Sequence, residues 1–450
     1  DISKSAFENG AILEINAAPG IRMHQYPSKG RARNVSKAIL DELFKNSSSS
    51  IPIISVTGTN GKTTTTRLIA HILHTAGYSV GMTTTGGIYV NNKCIYTGDT
   101  TGYYSAKAIL NNSEVEAAVL ETARGGIIKK GLAYDRADVG IITNITEDHL
   151  GIDGIETMDD LAYVKSLVGE AVKDNGYAVL NADDLVSISI INRIKSRMIM
   201  FSKDKYNTIL RNNIKKGGYG IYVDNKVIYL EEDNNTIPII KVSDIKISLD
   251  GKLMYNVENA MAACAAAVAL NINYMYIRDA LKNFYGNSLL NPGRFNIYKL
   301  NGSKIILDYG HNIEGYKAVI NGIKKLNHKR LVGIIGVPGD RSDSSVEEIG
   351  RISGKSFDRI YIKEDKDRRG RNLGDIASIL KRGVLQTGFD VKELRTILDE
   401  KSALEDAIDN QKNGDIIVIF FEKLKPLQDL VNRKIREESS KKPQNSQITV

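Results

Sequence analysis

Val56-Thr57-Gly58-Thr59-Asn60-Gly61-Lys62-Thr63-Thr64-Thr65-Thr66 joins two stretches of different hydrophobic period. Before it, residues 51 to 56 form an apolar run of β type. After it, Leu68, Ile69, Ile72, Leu73 and Ala76 recur on one helical face, which Gly77 closes. The pattern predicts strand, loop, helix. Such a loop aims several backbone N–H groups and the positive end of a helix dipole at one spot, which suits a polyphosphate. Gly58, Thr59, Asn60, Gly61 and Thr64 then form the cradle, Lys62 reaches the β- and γ-phosphates, and the Thr63 hydroxyl holds Mg²⁺. The strict phosphate-loop pattern has glycine where Val56 stands, and Gly58 does the turning here. The plainer alternative is a glycine-rich turn capped by threonines.

The chain has 450 residues, 42% hydrophobic and 25% charged, ordinary globular material for about three domains at roughly 150 residues each. No apolar run approaches the roughly 18 residues of a membrane span and no signal peptide is read, so a cytoplasmic protein with no membrane partner is expected. Cys94 and Cys264 match no disulfide or metal-ligand spacing. A formal charge of +8 suggests an acidic partner. With no Trp and no clustered Lys/Arg stripe carrying interleaved aromatics, nucleic acid is not the expected one.

Outward from the loop, strand and helix patterns alternate, which predicts an α/β fold with a mostly parallel sheet and helices on both faces. Residues 117 to 121 and 139 to 145 read as buried strands. Their end residues Glu121 and Asn144 fall where an open α/β sheet presents its ligands, so Glu121 can face Thr63 across Mg²⁺. His149, in Asn144-Ile145-Thr146-Glu147-Asp148-His149-Leu150-Gly151, lies among acids just past a strand, where an imidazole can reach a cation. Lys165 sits among Leu161, Val164, Leu167 and Val168 on a helix expected over residues 158 to 171. It either snorkels to water or, desolvated, loses its proton and reacts with CO₂ to give a carbamate metal ligand.

Residues 195 to 250 carry short β runs and turns with no readable function. Residues 256 to 270 form a small-residue helix near whose start Asn256 and Asn259 either pack or hydrogen-bond a nucleobase edge. A second αβ pattern restarts near Asn291 to Arg294 and presents Asp308, His311, Asp340 and Arg341 at strand ends. Ahead of the serine linker at 47 to 50, residues 11 to 16 read as a strand with Glu14 and Asn16 on one face, and residues 35 to 44 as a helix. Two such oxygen-bearing side chains either share Mg²⁺ or form a solvated face. Residues 435 to 450, charged and rich in Ser and Lys, are expected to be disordered.

As an ordered set, Gly58-Thr59-Asn60-Gly61-Lys62-Thr63, Leu120-Glu121-Thr122-Ala123, the stretch 144 to 151, Asn181-Ala182-Asp183-Asp184, Asn256-Val257-Glu258-Asn259-Ala260, Pro292-Gly293-Arg294 and Asp308-Tyr309-Gly310-His311-Asn312 resemble the Mur ligases over roughly residues 51 to 430. Within that superfamily, Glu121-Thr122-Ala123-Arg124-Gly125-Gly126-Ile127, Gly98-Asp99-Thr100-Thr101-Gly102 and Asn16-Ala17-Ala18-Pro19-Gly20-Ile21-Arg22-Met23-His24 resemble the cyanophycin synthetases, which join an ATP-grasp domain to a Mur-ligase-like one. The resemblance implies an ATP-grasp end piece over 1–46, a linker over 47–50, a P-loop central ATP-binding domain over 51–293, a smaller α/β C-terminal domain over 294–434 and a tail over 435–450.

The same resemblance implies ATP and Mg²⁺ as cofactors. It puts Lys62 and Thr63 on phosphate and magnesium, Glu121, His149 and a carbamylated Lys165 on metal, and Asn259, Arg294 and Asp308 on the nucleotide. Glu14 and Asn16 match magnesium ligands that serve only in a complete ATP-grasp domain. The implied reaction is amide ligation through an acyl phosphate, adding arginine to the side-chain carboxylate of aspartate in a polyaspartate (cyanophycin) chain. A homo-oligomer is expected, and a separate ATP-grasp partner is one way to supply the missing part. The alternatives are another Mur-type ligase acting on a cell-wall precursor or folate, and a P-loop switch or polymer-binding module.

Overall fold

The computed structural model of the protein describes every residue except 1–5, 9, 11–14, 45–49, 149, 233–234 and 442–450. The chain divides into two compact units, residues 1–51 and 52–450. In the first, helices Arg22–Gln25 and Val35–Leu43 are present, the second capped by Asn34, whose side chain accepts from Lys37 N at 3.0 Å. The strand expected over residues 11 to 16 falls mostly outside the described residues, as does Glu14. Asn16 is exposed and belongs to no strand.

In the second unit the first sheet has eleven strands: β1 (Ile53–Thr57), β2 (Val80–Thr84), β3 (Gly87–Val90), β4 (Lys93–Thr97), β5 (Ala117–Glu121), β6 (Ala137–Ile142), β7 (Val172–Asn181), β8 (Arg197–Ser202), β9 (Tyr219–Asp224), β10 (Val227–Glu232) and β11 (Asn235–Lys241). Their order is β11-β10-β9-β8-β7-β6-β1-β5-β2-β3-β4. The seven strands from β9 to β2 are parallel, and an antiparallel hairpin strand pair extends each edge. The opaque stretch 195 to 250 is thus one edge of the sheet. Asn225 and Lys226 both adopt positive φ there, as Asn91 and Asn92 do at the other edge, the conformation a two-residue hairpin turn demands.

Helices α1 (Lys62–Thr75), α2 (Tyr103–Leu110), α3 (Arg124–Lys130), α4 (Met158–Glu170) and α5 (Met254–Ala269) cover the sheet or its strand ends. Ile54, Val56 and Val119 are fully buried, and so is Ile72 on α1. Each such side chain contributes about 1.5–3 kcal/mol. The small residues of α5, buried from Val257 to Val268 except for Glu258, let it press closely on α1 and on β7 and β8. Register then fixes the site: Val56 of β1 lies level with Glu121 of β5 on one side and Ile141 of β6 on the other. From β1 the chain winds to β2 and β5 on one side and to β6 and β7 on the other, so the carboxyl end of β1 is a topological switch point, where such sheets bind ligands.

The second sheet contains β12 (Asn296–Leu300), β13 (Ser303–Asp308), β14 (Arg330–Ile335), β15 (Arg359–Ile362), β16 (Leu394–Thr396) and β17 (Asp415–Phe420), ordered β12-β13-β17-β14-β15-β16, and all but β12 run parallel. Helix α6 (Ile313–Lys324) buries Tyr316, Val319, Ile320 and Ile323 against it. One expectation is corrected here. The chain is not irregular from residue 435, because helix α7 (Leu424–Lys441) continues through that point. Leu427, Leu430 and Val431 anchor the helix in the core, and i,i+4 pairs such as Arg433–Glu437 solvate the rest. Among the described residues no helix is long and apolar enough to cross a membrane.

Candidate active site

The loop after β1 is fastened before any ligand is considered. Gly58 and Gly61 have φ of +145° and +86°, and a Cβ on Gly61 would run into the Asn259 side chain. Thr59 N donates to Asn144 O at 2.8 Å and Asn60 N to Asn144 Oδ1 at 2.9 Å. Thr143 Oγ1 and Asn144 Nδ2 both donate to Asn60 O, at 2.6 and 3.1 Å. The residues after β6 therefore hold the loop open. Gly61 caps α1 without a side-chain bond, so the first N–H groups of the helix face the loop concavity.

Glu121 is 2% exposed. Its Oε1 accepts from Thr63 Oγ1 at 3.0 Å and Thr85 Oγ1 at 2.9 Å, and its Oε2 accepts from Thr85 N at 3.0 Å. The Thr63 hydroxyl also accepts from Arg294 Nη2 at 3.0 Å, and Arg294 lies 4.7 Å over the Tyr309 ring. A buried hydroxyl and carboxylate this close are a hard-oxygen pair that fits Mg²⁺, an ion that usually takes one or two protein oxygens and completes its shell with phosphate and water. Among the described residues no three His, Cys, Asp or Glu side chains form a metal cluster, and His149 lies outside them.

Lys62 Nζ donates to Gly58 O at 3.0 Å and Thr59 O at 2.8 Å, while Lys165 Nζ donates to Gly58 O at 2.7 Å. Lys165 is buried and does not snorkel. Burial, with the neighbouring Lys62 charge, pushes its amine down to about 7. Burial lowers Lys62 as well, opposed by the Glu121 carboxylate. Asp308 is held by Gly310 N at 2.7 Å and Phe295 N at 2.8 Å, and burial pushes its carboxyl above the ordinary range against the pull of Arg294. Asn259 Oδ1 accepts from Thr65 Oγ1 at 3.3 Å. Asn256 is spent on structure, its Nδ2 on Ile247 O and its Oδ1 on Asn259 Nδ2.

Gly58 to Thr64, Glu121, Asn144, Lys165, Asn259, Arg294 and Asp308 all line one cavity of about 870 Å³. Strand-end loops of the second sheet reach across it. Asn312 Nδ2 donates to Asn60 Oδ1 at 3.1 Å, Arg341 pairs with Asp148, and His311 Nε2 lies 3.9 Å from the same carboxylate. Asp340 turns instead to Arg369, another lining residue. Sequence reasoning missed Thr85, which orients Glu121, and Tyr255, whose buried hydroxyl lines the cavity without a hydrogen-bond partner among the described residues. The run Thr83-Thr84-Thr85 at a strand end was the only signal for the first.

The fold is that of a known ligase family. Residues 56–267 match the Mur ligase middle domain and residues 293–420 the Mur ligase glutamate ligase domain, and the chain belongs to the Mur ligase family. Within it the chain is similar to cyanophycin synthetase from Synechocystis sp., 42% identical over 96% of this chain and 49% of that protein. It is also similar to cyanophycin synthetase from Crocosphaera subtropica, 41% identical over 96% and 50%. The chain spans about half the length of these curated relatives. The solved structure of MurF ligase from Thermotoga maritima in complex with ADP shares the fold, with a TM-score of 0.59 at 18% identity over 86% of this chain and 81% of that one.

Proposed function

We propose that this chain is an ATP-dependent amide ligase that adds arginine to side-chain carboxylates of a polyaspartate chain. The observation that carries it is the convergence on the Thr63 hydroxyl of Glu121 from β5 and Arg294 from the approach to the second sheet. The likeness to cyanophycin synthetases supports the choice of acceptor and amine.

In this reading Lys62 and the N–H groups of the loop take the β- and γ-phosphates of ATP. Thr63 and Glu121, with His149, are the residues that would hold Mg²⁺, which supplies neutralisation of phosphoryl charge. A carboxylate oxygen of the acceptor attacks the γ-phosphorus, the bond to the ADP oxygen breaks, and an acyl phosphate results. The α-amine of arginine then attacks the acyl carbon, loses a proton, and inorganic phosphate leaves. Arg294 and Asp308 contact the nucleotide from the second sheet, and Asn259 does so from α5. The desolvated Lys165 amine is suited to carbamate formation and to service as a further metal ligand. Closure by Asn312 and Arg341 excludes water from the acyl phosphate.

Incubation with ATP, Mg²⁺, polyaspartate and labelled arginine tests the reading. Incorporation with ADP release that requires both acceptor and arginine is expected. ADP release independent of amino acid would replace it with a nucleotide switch, and turnover only with another acceptor would replace it with a different Mur-type ligase.

A further inference from the structure

Beside Glu121 the cavity wall is made by Gly102, Arg124, Gly126 and Lys129, at the starts and along the length of α2 and α3. The two helices meet closely because residue 126 is glycine: a Cβ there would lie 2.8 Å from Thr101 O. Outside the cavity the same pair of helices carries a cationic, aromatic ridge. Tyr104 is 69% exposed, and its ring sits edge-to-face with Tyr103 at 5.5 Å. Lys130 Nζ lies 5.5 Å from the Tyr104 ring and Lys107 Nζ 5.7 Å from the Tyr103 ring.

Arg124 is neutralised by Asp153 at 3.1 Å. Lys107, Lys129 and Lys130 are exposed and form no salt bridge among the described residues, in a unit where many other surface cations are paired. These lysines come from segments too far apart in sequence to read as a stripe; the packing of α2 on α3 assembles one.

We propose that this ridge is the track along which an acidic polypeptide enters the cavity, its side-chain carboxylates meeting the three lysines in turn before one reaches Thr63 and Glu121. The proposal rests on the ligase reading above and deepens it. Lysine ammonium groups are compact point charges on flexible stems, suited to carboxylates spaced along a pliable chain. Each tyrosine already carries a lysine ammonium over one face, which narrows the stacking platform that single-stranded nucleic acid needs.

Fluorescence anisotropy of a labelled polyaspartate peptide tests this with the whole chain, without ATP or arginine. A single-stranded oligonucleotide of equal charge serves as the second probe. The Lys107→Glu/Lys130→Glu variant should bind the peptide about tenfold more weakly and with a flatter salt dependence, and Lys425→Glu on α7 should leave binding unchanged. Unaltered peptide binding in the double variant overturns the proposal, as does an oligonucleotide that binds more tightly than the peptide and loses that binding in the variant. Because the readout is equilibrium binding, a chain that binds through the ridge and fails to ligate contradicts only the assigned reaction.

Discussion

Lys62 and Lys165 end on one acceptor: both ammonium nitrogens donate to the carbonyl oxygen of Gly58, from 3.0 and 2.7 Å. Burial, with the repulsion between two positive charges at a single carbonyl, holds Lys165 down to about 7. Its unfolded value is near 10.5, so between those two values the unfolded chain binds the extra proton and stability rises with pH. The destabilisation is fully present below about 7. Lys165→Met should flatten this alkaline rise. Urea unfolding across that window checks it, and parallel curves for variant and parent would refute the placement of the proton.

Glu121 accepts three hydrogen bonds with two oxygens. Glu121→Gln replaces one of them with an N–H₂ that faces a donor. Loss of the preorganised charge should lower kcat by about 100-fold or more. Turning an acceptor against a buried donor costs about 1–3 kcal/mol of stability. Thr85→Val, which removes one of the three bonds that orient the carboxylate and keeps the backbone one, should lower kcat while leaving the ATP dependence of binding intact. Steady-state ADP release and nucleotide titration of both variants separate charge from orientation.

Arg341 and Asp148 pair across the cleft with side chains 6% and 11% exposed. Removing either takes away one of the opposite charges that the other is buried against, a loss of at most about 3–5 kcal/mol. Arg341→Met and Asp148→Asn should each destabilise closure, raising the KM for ATP, and the double variant should lose far less than the sum. A double-mutant cycle on urea unfolding and on KM checks this; additive losses would mean that the pair does not couple the two sheets.

Local chemistry was legible. The period change at Val56 to Thr66 marks strand, loop and helix because each stretch needs only its own neighbours to declare itself, and Glu121 could be named because a charge ending a buried strand has few places to go. Contacts between distant segments were not. Nothing in the spacing of Asp148 and Arg341, or of Tyr104 and Lys130, says that they will meet, because those distances are set by helix packing and by the angle between two sheets. The first part of the tail, residues 435–441, was misread from its charges, since solvated i,i+4 pairs on a helix and a disordered run have similar composition. Glu14 and His149, both named from the sequence, lie outside the described residues.

Asn60 is grasped from two sides, by Asn144 behind β6 and by Asn312 at the start of α6. The first grip gives up the loop's freedom during folding, on the order of 1–2 kcal/mol per ordered residue, so a nucleotide arriving there meets a finished mould. The second grip is a single neutral hydrogen bond, worth about 0.5–1.5 kcal/mol. On the proposed ligase reading, arrival and departure of nucleotide fall to different parts of the molecule: the first sheet sets how well the loop fits, and the grip of the second sheet sets how long a spent nucleotide dwells.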